Sequence, residues 1–459
     1  MERSLKKVMM LSGIVFLILL LAGCGPGAAI RSATPTALPA ASPTPAPTLT
    51  PTIAPTTTPS AAYLAIFDTV WQTVNDSYFD PGFGGVDWPA ERERYEPLVA
   101  HAKNDRELYR LLNQMLWKLG VSHNAVGPAG MWPSVQPVVW MAGKAGLDVR
   151  LLAGEVVVTR VEPDSPAERA GLRSGFTLTS IDGTPVQQII AAAETELAPP
   201  YTASGRIDQL TRAVLGRIYG MPDTCVTIGW LDGDHEQHER CIGRVQRERP
   251  AAMEGLPLPP AYVEFEARRL EENIGYIRFN TFHPELVPEL VAAGQSMEDT
   301  PGIIVDLRGN PGGSLPALEA LAAQFVTEQT RLGTLKTRER TIEWVIQPAD
   351  KPYRGLLIIL IDRLSFSGSE WFSASMQALD RAVIVGVRSP GGVSGADMAP
   401  LPNGALLMYP VVGLIAADGT DPEGRGVIPN IEVELDRDLL LQGIDSQLEA
   451  AIDYINKNE

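Results

Sequence analysis

Residues 355–362 read GLLIILID, an unbroken apolar run too short for a helix of ordinary length and without period-two alternation. Such a run fits a strand buried on both faces of a parallel sheet, which demands helices packed on either side. The run breaks into Leu364-Ser365-Phe366-Ser367-Gly368-Ser369-Glu370, and EWFSASMQAL (370–379) then carries apolar residues at helical spacing. Ser367 therefore falls on a tight turn at the carboxyl end of a strand. Its hydroxyl is exposed there, and the first N–H groups of the helix point toward it. That position suits an acyl-enzyme nucleophile, because a developing oxyanion meets preorganised donors. It suits a plain helix cap equally well, since serine is a common one.

The same alternation runs from about Pro250 onward: IGYIRFN, a helix from Glu285, GIIVDLR, a helix from Leu315, then GLLIILID. It predicts an α/β core of parallel strands with packed helices, whose strand ends gather Gly312, Ser367 and Gly391-Gly392 on one edge. PGIIVDLRGNPGG (301–313) is a buried-strand pattern ending in a glycine-rich turn, where the backbone can approach a bound group closely. A helix-capping turn or a phosphate cradle would read alike. A Walker-type loop is excluded, as no Gly-Lys-Ser/Thr follows.

A serine hydroxyl needs an activating partner at neutral pH. At this point the chain resembles the carboxyl-terminal processing peptidases, whose nucleophile is the middle serine of an S-x-S-x-S-E run with a lysine base 25 residues on. Here that position is Gly392, and no lysine occurs between Lys351 and Lys457. A second branch, the tricorn-type peptidases, uses a Ser-His pair and a late glutamate instead. The chain has Leu119-Gly120-Val121-Ser122-His123-Asn124 after a helix-patterned stretch, and Glu423-Gly424-Arg425-Gly426-Val427-Ile428-Pro429 near its end. The resemblance implies Ser367 as nucleophile, His123 as general base, and a Ser122–Glu423 pair orienting the imidazole. It also implies oxyanion donors at Gly312 or Gly313 and at Gly368. Imidazole chemistry fits these roles: it titrates near neutrality, and a carboxylate acting through a hydroxyl can fix its tautomer. Of the other histidines, His101 lies in a polar helix, His235 and His238 in an acidic hairpin, and His283 before a proline. Glu423 could also be an ordinary loop acid beside Asp418 and Asp421.

Residues 62–140 are patterned as a helical N-terminal cap, and 141–248 change character. Gly146-Leu147-Asp148-Val149, Ser165-Pro166-Ala167, Ala170-Gly171-Leu172 and Ile181-Asp182-Gly183 resemble a bacterial PDZ domain. The resemblance implies a β-rich module in which Gly146, Leu147, Asp148 and Val149 hold a terminal carboxylate while a substrate chain adds as a strand. A spacer or a gate is the alternative. Cys225 and Cys241 flank a hairpin pattern, lying opposite one another if its turn centres on Gly233, and a cross-strand disulfide is expected. The peptidase core fills 249–459.

The amino terminus sets the address. A basic start, an apolar run and Leu21-Ala22-Gly23-Cys24 read as a lipoprotein signal peptide (1–23) with Cys24 acylated. Residues 24–61, rich in Pro, Thr, Ala and Ser, form an extended linker. The expected location is extracytoplasmic, anchored to the membrane through lipid. A net charge of −17 with no basic stripe excludes a nucleic-acid partner. No metal-binding spacing or cofactor motif occurs. The expectation is thus a multidomain α/β serine endopeptidase acting on proteins or peptides. A catalytically inactive PDZ-bearing binding lipoprotein, and an esterase or transferase using the same Ser-His pair, stand against it.

Overall fold

The computed structural model describes residues 59–197, 202–252 and 258–459. The signal peptide, Cys24 and nearly all of the linker lie outside them. Three helices come first: α1 (Pro59–Ser77), α2 (Trp88–Ala100) and α3 (Asp105–Leu116). Asn104 caps α3 by accepting the Glu107 N–H, and Leu108, Leu111, Leu112 and Met115 turn one face inward. Phe67 of α1 and Trp88 of α2 share an apolar core with Leu407 from nearer the carboxyl end, which docks the helices on the α/β core. The region is not wholly helical. Directly after the Ser122-His123 turn, β1 (Ala125–Pro128) pairs with a strand near the carboxyl end of the chain. Pattern reading misses it because its four residues include Gly127 and Pro128, and only a long-range partner makes them a strand.

The second module is an antiparallel sheet in the order β2 (Leu147–Leu152), β3 (Glu155–Val161), β4 (Thr177–Ile181), β5 (Cys225–Leu231), β6 (Gln237–Gly243). Helices α4 (Val186–Glu196) and α5 (Ala203–Ile218) lie between β4 and β5 in sequence. A disulfide joins Cys225 and Cys241, with Cα atoms 5.7 Å apart. The two are not directly opposite as expected: Cys225 faces Gly243, and Cys241 faces Thr227. The turn centres one residue later than Gly233, because Asp232 Oδ1 accepts the N–H groups of both Asp234 and Glu236.

The core sheet runs β7 (Phe265–Arg269), β8 (Gly275–Phe279), β9 (Gly302–Asp306), β12 (Leu356–Ile361), β13 (Val383–Gly386), β16 (Ile431–Glu432). All neighbours are parallel except β7 and β8. Helices α6 (Val287–Ser296), α7 (Leu315–Ala323) and α8 (Gly368–Ala378) belong to one face, with Ile303, Val305, Ile359 and Ile361 beneath them. On the other face Ile304, Ile358 and Leu360 meet Ala451 and Ile455 of α9 (Ser446–Asn458). This double cover explains the unbroken apolar runs in β9 and β12. Between β9 and the end of the chain a second, antiparallel sheet forms from β10 (Thr330–Lys336), β11 (Thr341–Ile346), β14 (Gly395–Pro400) and β15 (Ala405–Ala416), and β1 joins it.

Charge pairs and one apolar side chain bind the second module to the core. Lys144 reaches Glu264 at 2.9 Å, Arg150 reaches Asp362 at 2.6 Å, and Asp148 meets Arg278 at 3.1 Å. Leu364, from the turn after β12, is buried within the apolar core of the second module. Leu364→Ala is expected to lower the unfolding free energy by about 2–5 kcal/mol, the range for deleting a fully buried leucine side chain. Denaturant titration of the variant against the parent chain checks it.

Candidate active site

Ser367 stands between β12 and α8 with φ 54° and ψ −116°, a left-handed conformation that a non-glycine residue holds only when its surroundings enforce it. They do. The Ser367 N–H lies 3.0 Å from the Gly392 carbonyl and 3.1 Å from Glu370 Oε2, while the Phe366 N–H and the Ser369 hydroxyl both donate to the Asn310 carbonyl. Glu370 is the buried knot of this turn. Beyond Ser367 it accepts the Ser389 hydroxyl (2.5 Å) and the N–H groups of Gly391 (2.7 Å) and Gly392 (2.9 Å). Burial pushes its carboxyl up to about 7, against the pull of those donors. Glu370 lay in the serine run of the sequence, but only the fold shows what it holds.

The Gly309–Gly313 turn packs against the nucleophile turn closely enough that a Cβ on Gly368 would sit 3.2 Å from the Gly313 nitrogen. The two glycines read as alternatives part here. Gly312 gives its N–H to the Asn310 side chain at 2.8 Å, so it is not available as an oxyanion donor. The Gly313 and Gly368 N–H groups have no protein acceptor among the described residues. They sit beside one another at the start of α8.

On the other side, Ser122 and His123 follow α3. His123 has φ 55°, a second left-handed residue at the site and a residue type that tolerates it. Ser122 Oγ lies 2.9 Å from His123 Nδ1 and donates to Glu423 Oε2 at 3.0 Å. That direction makes Nδ1–H the donor to Ser122, so Nε2 carries the lone pair. Glu423 also accepts the N–H groups of Ser122 (2.6 Å), Val393 (2.8 Å) and Ser394 (2.8 Å), and the Ser394 hydroxyl (3.0 Å). Burial raises its carboxyl above the ordinary range while these donors oppose the shift. Val393 and Ser394 carried no signal in sequence; they reach Glu423 only because the 389–394 and 422–427 loops interlock. Gly424 N–H donates to the Gly391 carbonyl, and Val427 N–H to the Ser389 hydroxyl.

Phe366 joins the two halves. Its ring stacks on the His123 imidazole, with centroids 4.9 Å apart and planes 22° from parallel. The same ring fills the space beside Gly392, so that a Cβ there would overlap it. The position read in sequence as that of a lysine base is thus sterically closed by an aromatic residue that contacts the histidine. Packing also drives the His123 pKa down from 6.5 to about 4, because burial penalises the imidazolium.

The loop read as a carboxylate holder has a different environment from the one expected. Leu147 and Val149 are buried in the module's own core, and the Asp148 carboxylate is paired with Arg278 of the α/β core. Beside it, a cleft of about 540 Å³ includes Lys144, Arg160 and Arg278, each already bound to an acid. A terminal carboxylate entering there would meet Asp148 and no uncommitted cation among these.

With this geometry in place, similarity to known proteins becomes informative. Residues 273–433 match the model of peptidase family S41, residues 59–117 that of the Tricorn protease C1 domain, and residues 157–195 that of a PDZ domain. The chain is 25% identical over 397 residues to the carboxyl-terminal-processing protease of Synechocystis sp., covering 84% of this chain and 85% of that one. It is 27% identical over 399 residues to Tricorn protease homolog 1 of Streptomyces coelicolor, covering 84% of this chain and 34% of the relative. It therefore spans about a third of the tricorn-type relative's length. Among solved structures, the photosystem II D1 C-terminal processing protease aligns with a TM-score of 0.51 at 19% identity, over 84% of this chain and 98% of that one. Mature CPAF aligns at 0.56 and 14% identity, over 87% and 96%. These two likenesses concern the fold.

Two outcomes follow for the site. The His123 ring protons should titrate by NMR with a pKa near 4, well below the ordinary 6.5. Between those values the unfolded chain binds a proton that the folded chain does not, so His123 costs stability as pH falls from 6.5 toward 4 and costs nothing above that window. Glu370→Gln turns one acceptor oxygen into a donor facing two N–H or O–H groups. It should destabilise the chain by about 1–3 kcal/mol, measured by denaturant titration.

Proposed function

We propose, from the chain's membership of the carboxyl-terminal processing and tricorn-type serine peptidases of family S41, that it hydrolyses peptide bonds through Ser367 with His123 as base. Ser367 Oγ attacks the scissile carbonyl while His123 Nε2 takes its proton and later returns it to the departing amine. The Gly313 and Gly368 N–H groups receive the oxyanion. Glu423 acts through Ser122 to hold the imidazole in the tautomer that leaves Nε2 free. The observation that carries this reading is the Ser122 hydroxyl bridging His123 Nδ1 and Glu423 Oε2 at 2.9 and 3.0 Å. The inactive-scaffold alternative drew on the missing lysine. Against it we set Phe366, whose ring fills the lysine's place and stacks on the histidine proposed as base.

The location belongs to the same proposal. The basic start, the apolar run and Leu21-Ala22-Gly23-Cys24 support a lipid on Cys24 and an extracytoplasmic peptidase on a proline-rich tether. An exposed disulfide in the second module suits an oxidising compartment. Substrates are proteins or peptides. Recognition of their carboxyl termini by Gly146–Val149 is not part of the proposal, because Asp148 is engaged with Arg278.

Ser367→Ala should abolish both peptide hydrolysis and labelling by a fluorophosphonate. His123→Ala should lower kcat by about 10²–10⁴-fold, since proton removal from the serine is lost. Glu423→Gln and Ser122→Ala should cost less, as they orient the base without moving the proton. Near-normal turnover by His123→Ala would sink the assignment of the base. In cells, Cys24→Ser should release the protein from the membrane fraction.

A further inference from the structure

A PDZ groove lies between an edge strand and the helix beside it, and here these are β2 and α5, which pack together. Both turn toward the peptidase core. From β2, Arg150 Nε donates to Asp362 Oδ2 at 2.6 Å. From α5, Arg212 Nη2 donates to the Leu364 carbonyl at 3.2 Å, with its guanidinium fixed by Asp208 at 2.6 Å. Between them Leu364 enters the module's apolar core, among residues that include Leu147, Val149, Leu210 and Leu215. The space lined jointly by Arg150, Leu151, Ile207, Thr211, Asp362 and Leu364 is about 10 Å³. Where the turn enters, that leaves room for at most one water and no peptide; an open cleft of about 570 Å³ lies further along, against Leu151, Ile190, Ala203, Ile207 and Leu210.

We infer that the occupant of the PDZ groove in this chain is the peptidase's own nucleophile turn, residues 362–364, and that the module seats the catalytic residues instead of capturing a substrate terminus. The buried Leu364 side chain takes the place of a peptide's apolar anchor, while Arg150 and Arg212 hold the turn through side-chain contacts instead of main-chain strand pairing. The seat reaches further than Leu364. Arg212 lies 5.9 Å from the Phe366 ring centre, and that ring stacks on His123. At the amino end of α5, the Thr202 hydroxyl donates to the Pro390 carbonyl at 2.6 Å, in the loop that receives Glu370 and Glu423. One helix thus steadies the nucleophile turn, the ring over the base and the loop behind both. Arg212 and Leu364 are positioning residues; neither touches substrate in this arrangement.

The inference rests on Ser367 as nucleophile but has a readout that does not. In a Ser367→Ala background, the binding of a fluorescein-labelled eleven-residue peptide ending in Leu-Ala-Ala is compared with that of its carboxy-amidated twin. The parent background should bind the two alike. Adding Arg150→Gln and Leu364→Ala, which empties the groove, should create a preference for the free carboxylate. With Ser367 intact, Arg212→Gln should lower kcat and the rate of fluorophosphonate labelling on the order of 10²-fold, the effect of a small misplacement of reacting groups. KM should stay within a factor of about two, since uniform binding is untouched. Arg212→Lys, which keeps the charge and one donor, should recover part of the loss. If Leu364→Ala folds poorly, Arg212→Gln carries the kinetic arm alone. A carboxylate preference already present in the Ser367→Ala chain would overturn the inference. So would Arg212→Gln with unchanged kcat, or with a loss falling on KM. Absence of fluorophosphonate labelling in the parent chain would instead strike at the proposed function, leaving the peptide comparison to decide the groove.

Discussion

The Glu423 carboxylate ties together parts of the chain that nothing else would bring into register. Its two oxygens accept from Ser122, 301 positions earlier, and from Val393 and Ser394 in the adjoining loop. Without an acceptor there, the Ser122 and Val393 N–H groups would lose their partner, each at a cost of about 1–3 kcal/mol. The amino-terminal helices are placed by that requirement as much as by their own apolar core. The site is therefore assembled by folding of the whole chain from Pro59 onward, and no single module contains it.

Glu370 performs the equivalent task one layer deeper. Where Glu423 fixes the histidine proposed as base, Glu370 fixes the serine proposed as nucleophile, joining the Ser367 N–H to Ser389, Gly391 and Gly392. The two carboxylates take successive N–H groups of one loop, Glu370 those of Gly391 and Gly392 and Glu423 those of Val393 and Ser394. Mutual repulsion raises the Glu370 pKa further, opposed by the hydrogen bonds each acid accepts from buried donors. A left-handed serine can persist only inside such an over-determined frame.

Much of this was legible beforehand, for identifiable reasons. The β9 and β12 strands announce themselves because burial on both faces removes alternation. Ser367 and the Gly312-Gly313 pair stand out because turns at strand ends restrict residue type. What stayed hidden depends on contacts between distant segments. Gly312 and Gly313 look equivalent in sequence, and only the Asn310 side chain separates them. The strand Ala125–Pro128 exists because β15 is there to pair with it. The offset of Cys225 from Cys241 follows from which carboxylate caps the hairpin turn. The Gly146–Val149 loop keeps the sequence of a carboxylate holder, yet its Asp148 and the groove beside it are committed to the peptidase core.

Under the proposed mechanism, the exchange of a lysine base for a histidine alters more than one residue. A lysine at 392 would have to lose its charge by desolvation and would need room for a four-carbon stem. Gly392 removes the stem, Phe366 takes the space, and the same ring presents a flat apolar face to an imidazole that is neutral at the pH where it works. A neutral base next to an aromatic ring pays little to be buried, whereas an ammonium would be the costliest group at the site. Restoring lysine at 392 alone therefore cannot restore the other mechanism: its side chain would collide with Phe366 and push that ring against His123. The two mechanisms are alternatives at the level of packing, and Phe366 and Gly392 together decide which of them this turn can hold.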